Sequence, residues 1–288
     1  MRDQAEALRL KMLQSQGKLS RSVAIVSGKG GVGKSNFSIN FAYALVAQGK
    51  KVVIVDMDIG MGNIHILLGV TPRNSLKDYL DTTKHLNEVI NGAPEGLDFI
   101  SGGSGLDKVI EWTEPMFERL IVAFEQLQKE YDFILFDMGA GATHSAIDLV
   151  LAVEEIIVIS TTEPTSVTDA YSMMKFICLK DPDKSLHIVG NRIPRNDDGN
   201  DAVTRLQFAM RKFLKKETSI LGFLPEDPAV QKAVLAQKPY YLLYPNASIS
   251  KRMLAITATF VNIDGKESEQ KGTGFLEKLR SIFSKGRG

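Results

Sequence analysis

Short apolar runs recur along the chain and alternate with longer stretches whose apolar positions repeat with the period of a helix. Runs such as VVIV at 52–55 and IIVIS at 156–160 are apolar at almost every position, which is typical of strands buried on both faces. Residues 116–131 instead show the helical period. This alternation predicts a doubly wound α/β fold, in which a mostly parallel sheet carries helices on both faces.

The predicted strands have an apolar body, and two of them end in an aspartate. They are expected at 22–26, 51–56, 97–101, 133–137, 156–161, 186–191 and 219–224. A first helix is predicted at 35–48, with Gly49 at its C-terminal end. Because doubly wound sheets bind ligands at the carboxyl ends of their strands, chemistry is expected in the loops that follow them.

Polar and glycine-containing segments divide the chain into three parts. Residues 1–20 are expected to form a short helix and a linker, and residues 21–262 one folded domain. Residues 263–288 begin with the polar stretch IDGKESEQKGTG and end in a second short amphipathic helix. The sequence therefore predicts one main domain with a helical segment at each end.

Composition narrows the class of protein. The 288 residues carry a formal net charge of +1, so nucleic-acid or membrane binding would require a local patch of charge. The one cysteine, Cys178, excludes an internal disulfide and cannot by itself hold a metal cluster. We find no apolar stretch of membrane-spanning length and no signal-peptide core, and we expect a cytoplasmic protein.

Residues 28–35 read GKGGVGKS and match the phosphate-binding pattern G-x-x-x-x-G-K-[ST]. Glycines let the backbone N–H groups surround phosphate, and the following helix directs its positive N-terminal end at the anion. Lys34 neutralises phosphate charge, and the Ser35 hydroxyl is a ligand for Mg²⁺. The predicted nucleotide-binding residues here are Gly28, Lys29, Gly30, Gly31, Val32, Gly33, Lys34 and Ser35.

Two predicted strands end in acidic residues. The second strand ends in Asp56, and Met57 and Asp58 follow it. The strand at 133–137 ends in Asp137. Carboxylates at the tips of parallel strands lie near a bound phosphate, where hydrolysis requires one group to orient water and another to hold Mg²⁺ or its waters. Asp56, Asp58 and Asp137 are therefore the candidates for these two roles.

The second lysine of the loop, Lys29, makes the pattern K-G-G-x-G-K-[ST] resemble the deviant Walker A loop of the MinD/ParA family of ATPases. The resemblance covers roughly residues 20–260 and implies that ATP joins two copies of the chain. It also implies that Lys29 reaches the nucleotide of the partner copy. The implied catalytic residues are Lys29, Lys34, Asp58 and Asp137, with Asp58 orienting the attacking water and Asp56 in a structural role. The implied Mg²⁺ ligands are Ser35 and Asp137.

The identity of the base is indicated by two later segments. The stretch that begins at Asn191 lacks the aspartate with which GTPases recognise guanine, so ATP is favoured. Residues 221–227, LGFLPED, resemble the family segment that frames adenine. The implied contacts on this side are Asn191, Arg192, Pro225 and Glu226.

The N-terminal residues resemble the activator motif D-Q-A-x-x-L-R of the FlhG-type flagellar-number regulators, a branch of the same family. In that branch the motif stimulates a signal-recognition-type GTPase, FlhF. Gln4 is our candidate for positioning the catalytic water of the partner. The implied partner-binding residues are Asp3, Gln4, Ala5, Leu8 and Arg9.

Residues 273–288 predict an amphipathic helix with one apolar stripe and basic flanks. Such a helix suits an anionic membrane surface, and MinD-like proteins carry one. The alternative is packing on its own domain, and both hold if ATP-driven dimerisation frees a docked helix. The expected membrane residues are Phe275, Leu276, Leu279, Ile282 and Phe283.

The resemblance implies a peripheral membrane ATPase that regulates flagellar number and placement, with flagellar switch proteins as further candidate partners. Two alternatives stay open: a MinD-like regulator of the division site, and a ParA-like protein that segregates DNA. DNA binding is not favoured, because the residues available for it suit a solvated helix face equally well. They are Arg192, Arg195, Arg205, Arg211, Lys212, Lys215 and Lys216.

Overall fold

A computed structural model describes residues 20–59, 61–103, 113–139, 144–194, 200–263 and 274–285, and for 144, 145, 200 and 282–285 it describes only the backbone. Its centre is a sheet of eight strands in the order β3-β4-β2-β5-β1-β6-β7-β8. The strands are β1 Arg21–Val26, β2 Val52–Asp56, β3 Ile90–Gly92, β4 Asp98–Ile100, β5 Phe133–Asp137, β6 Glu155–Ser160, β7 Ser185–Ile193 and β8 Ser219–Pro225.

All strand pairs are parallel except β3 and β4, which are antiparallel. The helices of the described residues are α1 Lys34–Val46, α2 Ile64–Leu68, α3 Leu76–Asp81, α4 Glu114–Glu130, α5 His144–Ala152, α6 Pro164–Lys180, α7 Asn200–Leu214, α8 Pro228–Leu235, α9 Tyr240–Leu243, α10 Ser248–Ile263 and α11 Phe275–Lys285. The predicted doubly wound fold is confirmed.

Each face of the sheet has its own apolar core. One core joins α4, α5, α6, α7 and α11 to the sheet and includes Phe124 and Phe136. The other core joins α1, α8 and α10 to the opposite face and includes Phe41 and Phe260. Because both faces are covered, the central strands are buried along their full length, as their apolar composition predicts.

The observed strand ends lie within two residues of the predicted ones, and β5 begins and ends where predicted. The differences arise because backbone pairing rather than apolar content sets the ends. The largest difference is in β7, which continues to Ile193 instead of ending at 191. Its pairing with β8 shifts register between Gly190 and Ile193, and Arg192 adopts a left-handed backbone with φ 55°. Such a bulge redirects the chain at the edge of the sheet where the site lies. The short strand β3 had no clear apolar pattern and was not predicted.

The C-terminal helix α11 packs on the domain itself. Phe275, Leu276 and Leu279 are buried, and the ring of Phe275 lies 5.5 Å from that of Phe124 and 5.6 Å from that of Phe136. Lys278 pairs with Asp181 at 3.2 Å, and Arg280 pairs with Glu125. Three of the five expected membrane residues are therefore core residues in this conformation. The side chains of Ile282 and Phe283 lie outside the description.

Among the described residues, no helix combines the length and the apolar character that a bilayer crossing requires. The predicted partner motif at residues 3–9 lies outside the described residues, as do Ala140 and Gly141 after Asp137 and the basic residue Arg195.

Candidate nucleotide-binding site

The loops after β1, β2, β7 and β8 meet at one edge of the sheet, where the parallel strands have their carboxyl ends. They surround a cavity of about 1180 Å³. Lys34 and Asp58 line this cavity together with Asn191, Arg192 and Pro225. The structure thus brings both halves of the predicted site to one place, as the rule for ligand position in doubly wound sheets requires.

The loop between β1 and α1 takes its shape from glycines in left-handed conformations. Gly31 has φ 79° and Gly33 has φ 93°, values that side chains disfavour. Gly33 also lacks room for a side chain, since a Cβ there would lie 2.5 Å from Nδ2 of Asn191. That nitrogen donates a hydrogen bond to the Val32 carbonyl at 2.8 Å. Asn191, which was predicted to contact adenine, holds the phosphate loop in this structure.

The first glycine of the loop, Gly28, lies against the backbone of α6. A Cβ on Gly28 would lie 2.2 Å from the Asp169 carbonyl carbon and 2.5 Å from the Ala170 nitrogen. Both atoms belong to the backbone of α6, which cannot yield as a flexible side chain would. Close contact between the loop and α6 therefore requires glycine at position 28.

Helix α1 begins inside this loop without a side-chain cap. Gly33 is its N-cap, and no side-chain oxygen accepts a hydrogen bond from the first-turn N–H groups. The first turn also holds no acidic residue. Uncapped N–H groups at the positive end of a helix dipole are suited to an anion, so the loop fits a phosphate group.

Lys34 and Asp137 face each other where the sheet meets α1. The lysine Nζ lies 3.5 Å from the Asp137 Oδ1, and both side chains are nearly buried. The same oxygen accepts a hydrogen bond of 2.7 Å from the Ser38 hydroxyl, one helical turn after Lys34. Ser38 was not predicted, although its i+4 spacing from Lys34 was a usable signal.

Asp56 lies beside Asp137 in the pairing of β2 with β5. Its carboxylate accepts hydrogen bonds from the backbone N–H groups of Asp58 at 3.1 Å and Ile64 at 3.4 Å. Burial, reinforced by the charge of Asp137, raises the pKa of Asp56 to about 7. Asp56 thus supports the loop after β2 and carries an unusual proton affinity within the site.

Asp58 lies against the segment that follows β5. A Cβ on Gly139 would be 3.2 Å from the Asp58 Oδ1, so the carboxylate and the Gly139 backbone are in close contact. The Met57 N–H donates to the Asp137 carbonyl at 2.9 Å, which joins the same two segments again. Asp58 therefore lines the cavity from the segment after β2 while touching the segment after β5.

Lys29 lies at the rim of the site and is bound to the start of α6. Its ammonium contacts the Glu163 carboxylate at 3.0 Å and the Thr165 hydroxyl at 3.2 Å. Both members of the pair are well exposed, at 43% and 62% of their side-chain surface. Glu163 and Thr165 were not predicted, although they follow a strand at the same edge of the sheet.

The ends of β7 and β8 and the loops after them also line the cavity. The Glu226 N–H donates to the Ile193 carbonyl at 2.8 Å, which holds these two loops together. The wall beyond them is largely apolar and includes Leu224, Val230 and Tyr240. An apolar wall with backbone polar groups beside it can hold the flat ring of a nucleotide base.

The donor set also fits a magnesium ion that carries phosphate and water ligands. Such an ion needs only one or two protein oxygens, and Ser35 and Asp137 supply a hydroxyl and a carboxylate. Among the described residues, no group of three or more His, Cys, Asp or Glu side chains forms a self-sufficient metal site. The arrangement is therefore chemically able to bind a nucleoside triphosphate with magnesium and to direct water at its terminal phosphate.

Comparisons with known proteins agree with this geometry. A ParA-type family model, described as an NUBPL iron-transfer P-loop NTPase, matches residues 18–261. The antiactivator FleN of Pseudomonas aeruginosa is 31% identical over 255 residues, 88% of this chain and 90% of FleN. The flagellum site-determining protein YlxH of Helicobacter pylori is 30% identical over 92% of this chain and 89% of its own length.

A solved structure of a related protein has a similar fold. The septum site-determining protein MinD from Pyrococcus horikoshii, complexed with Mg-ADP, gives a TM-score of 0.67 at 26% identity. The similarity covers 85% of this chain and 98% of that one. The matched residues 18–261 include every loop that builds the cavity. The chain therefore belongs to the ParA/MinD family of P-loop NTPases.

Proposed function

We propose that this protein is a magnesium-dependent ATPase that forms a homodimer on binding ATP. The observation that carries this proposal is the pair of lysines on one loop: Lys34 is buried toward Asp137, while Lys29 is exposed at the rim. A lysine at the rim is free to exchange its contact with Glu163 for a phosphate on a second copy. Two copies that meet through this edge of the sheet complete each other's sites.

In the proposed reaction, Lys34 and the uncapped N–H groups of α1 bind the phosphates, and Ser35 and Asp137 hold Mg²⁺ directly or through water. The ion neutralises charge that develops on the phosphate oxygens. Asp58 orients a water for in-line attack on the γ-phosphorus. Lys29 of the partner copy stabilises the negative charge that develops on the phosphates as ADP leaves. Turnover is low without partners, because each site lacks one of its cations until dimerisation.

The proposed cycle also controls attachment to the membrane. Helix α11 packs on α4 and α5, and α5 is the first helix after Asp137 at the nucleotide site. A nucleotide-driven movement of α5 displaces the surface on which α11 rests. The freed apolar stripe then binds anionic lipid, so the ATP dimer resides on the inner face of the cell membrane and the monomer in the cytoplasm.

We further propose that the cycle regulates flagellar number and placement. The similarity to two relatives supports this: one is an antiactivator, and the other is a flagellum site-determining protein. The residues 1–20 then act as an activator segment for an FlhF-type GTPase, and flagellar switch proteins are further partners. Iron transfer is not proposed, because a cluster carrier uses several thiolates and this chain has one buried cysteine, Cys178.

ATP hydrolysis as a function of protein concentration tests the dimer. We expect specific activity to rise with concentration, because each active site needs two copies. Lys29→Ala retains binding of labelled ATP but loses at least about ten-fold in activity, whereas Lys34→Ala loses both. The neutral control is Thr165→Val, which keeps the Lys29 charge. Activity that is independent of concentration and of Lys29 would refute an ATP-joined dimer.

Co-sedimentation with anionic vesicles tests the membrane cycle separately. We expect binding with ATP, little binding with ADP, and none after deletion of residues 274–288. Binding to double-stranded DNA, measured at two salt concentrations, distinguishes the ParA-like alternative, since such binding falls steeply with salt. Salt-sensitive DNA binding without vesicle binding would exclude the proposed membrane cycle while leaving the ATPase intact.

A further inference from the structure

Tyr240 is a buried residue in the wall of the nucleotide cavity. It is 2% exposed, begins the short helix α9 after Pro239, and lines the cavity together with Val230 and Ile249. Within the described part of the chain, four buried side-chain polar atoms have no hydrogen-bond partner, and the Tyr240 hydroxyl is the one among them whose residue lines the cavity. Tyr240 was not among the predicted base contacts.

The unpaired hydroxyl is unfavourable in the protein without a ligand. It gives up its hydrogen bonds to water on folding and gains none from the residues that the structure describes. A phenylalanine at this position fills the same space without that loss. Because buried polar groups in proteins are almost always bonded, a hydroxyl left unpaired at a cavity wall indicates that a ligand supplies its partner.

Helix α9 holds the Tyr240 ring in a fixed place. The Tyr240 carbonyl accepts hydrogen bonds from the Tyr244 N–H at 2.8 Å and from the Ser250 hydroxyl at 3.3 Å. The Tyr241 N–H donates to Oδ1 of Asn40 on α1 at 2.8 Å. Because α9 contacts α1, α8 and α10 at once, the tyrosine is already positioned before a nucleotide binds.

The hydroxyl is a neutral donor, and its surroundings disfavour an anion. Burial, reinforced by the negative charge of Asp227, raises the pKa of Tyr240 above its ordinary value, so the phenol keeps its proton at neutral pH. The Asp227 carboxylate caps α8 and accepts a hydrogen bond from the Ala229 N–H at 2.9 Å. Since its charge acts on Tyr240, a phosphate at the same place would be repelled.

Of the three parts of a nucleotide, the base fits this wall. Val230 on α8 and Ile249 on α10 give the wall apolar surface, which suits the flat ring of a base better than a polar ribose. The phosphates are bound by the loop that carries Lys34. The ring nitrogens of adenine are neutral acceptors, and a protonated phenol is a matching donor.

We propose that the Tyr240 hydroxyl donates a hydrogen bond to a ring nitrogen of the bound adenine. This contact forms only when nucleotide is present, so it contributes to binding affinity and not to the stability of the empty protein. It also favours a base that offers an acceptor at that point over one that offers a donor. The inference rests on the proposed function, because it requires an adenine nucleotide in the cavity.

Binding of labelled ADP with Mg²⁺ to the full-length protein measures the contact without hydrolysis. We expect Tyr240→Phe to weaken ADP binding about three- to ten-fold. The matched control is Tyr43→Phe, which should bind ADP as the parent does. Tyr43 is 1% exposed, and its hydroxyl donates to the Pro94 carbonyl at 3.1 Å, outside the cavity lining.

Urea unfolding without nucleotide should move the two variants in opposite directions. Tyr240→Phe should unfold at a higher urea concentration than the parent, because an unpaired buried hydroxyl is removed. Tyr43→Phe should unfold at a lower concentration, because it loses a hydrogen bond. A purely structural tyrosine at position 240 would instead make Tyr240→Phe less stable and leave its ADP affinity unchanged.

Nucleotide analogues identify the atom that accepts the hydrogen bond. Dideoxy-ADP lacks both ribose hydroxyls, and Tyr240→Phe should weaken its binding by the same factor as for ADP. One deaza-ADP analogue, in which a ring nitrogen is replaced by CH, should bind to the parent and the variant alike. A loss that disappears with dideoxy-ADP, or that persists with every deaza analogue, would overturn the contact with a ring nitrogen.

The outcomes for the parent protein separate this inference from the proposed function. Equal ADP affinity of the parent and Tyr240→Phe would overturn the contact of Tyr240 with the base and leave the proposed ATPase intact. A parent protein that binds neither ADP nor ATP would overturn both.

Discussion

Among single residues, Asp56 has the most informative environment. It is buried next to Asp137, and its pKa is raised to about 7 from an ordinary value of 3.8. The folded protein therefore binds one more proton than the unfolded chain between about pH 4 and pH 7. Stability contributed by this group is present at low pH and is lost as the pH rises through that interval, by at most about 1.4 kcal/mol per pH unit.

Asp56→Asn removes that dependence while retaining an oxygen that accepts the Asp58 N–H. We expect the difference in free energy of unfolding, variant minus parent, to grow in favour of the variant from pH 5 to pH 8. Urea unfolding without nucleotide or Mg²⁺ measures it. Asp56→Ala should show the same change in slope, with an added cost of about 1–3 kcal/mol at every pH for the unbonded N–H groups. Parallel curves for parent and both variants would contradict the raised pKa.

The position of a site residue was predictable from sequence only where a motif determines the backbone conformation. The loop GKGGVGKS located Lys34 and the glycines, because few backbone paths can surround a phosphate. The sequence did not reveal that Asn191 would hold the Val32 carbonyl or that Glu163 would hold Lys29. Those partners are more than 130 positions away, and only the pairing of strands in the sheet brings them together.

Among the elements, α11 is held by two kinds of contact, a buried apolar one and a partly exposed ion pair. Phe275 is 1% exposed between Phe124 and Phe136, whereas the Lys278–Asp181 pair is partly exposed. Loss of a buried phenylalanine costs about 3–5 kcal/mol, and loss of an exposed ion pair costs about 0–1 kcal/mol. The apolar contact therefore decides whether the helix stays docked.

Hydrogen exchange of the α11 amides tests that ranking in the nucleotide-free monomer. Phe275→Ala should speed their exchange at least about 100-fold, up to the limit set by the whole docking free energy. Lys278→Gln should speed it by less than about ten-fold. Equal acceleration by the two substitutions would mean that ion pairs hold the helix as strongly as the apolar contact does.

The amphipathic pattern of α11 was visible in sequence, but its position was not. An apolar stripe with basic flanks is compatible with both lipid and a protein groove, because each offers apolar surface beside negative charge. The groove forms only when α4 and α5 come together on the sheet. The pattern thus determined that the helix would be amphipathic, and the packing determined which surface it contacts in this conformation.

For the whole molecule, the proposed dimerisation competes with a contact inside the monomer. Lys29 is bound to Glu163, and under the proposed function it must leave that partner to reach the second copy. Glu163→Gln removes the competing charge. Because exposed pairs contribute about 0–1 kcal/mol, we expect the ATP dimer to tighten by up to about five-fold.

Sedimentation equilibrium with ATP, in an Asp58→Ala background that blocks hydrolysis, measures this effect. Thr165→Val is the control, since it removes a neutral hydrogen bond to Lys29 without changing charge. A weaker dimer for Glu163→Gln would show that the carboxylate contributes to the interface itself rather than competing with it.

The sequence by itself determined the fold class and the phosphate loop, because burial on both faces imposes apolar strands and phosphate binding imposes glycines at fixed spacing. It also determined which strands end in acids. The tertiary structure decided what those acids touch, how Asn191 holds the loop, where α11 rests and which phenylalanines remain exposed on α7. These depend on contacts between residues far apart in the chain, and local pattern carries no information about which distant surface each side chain meets.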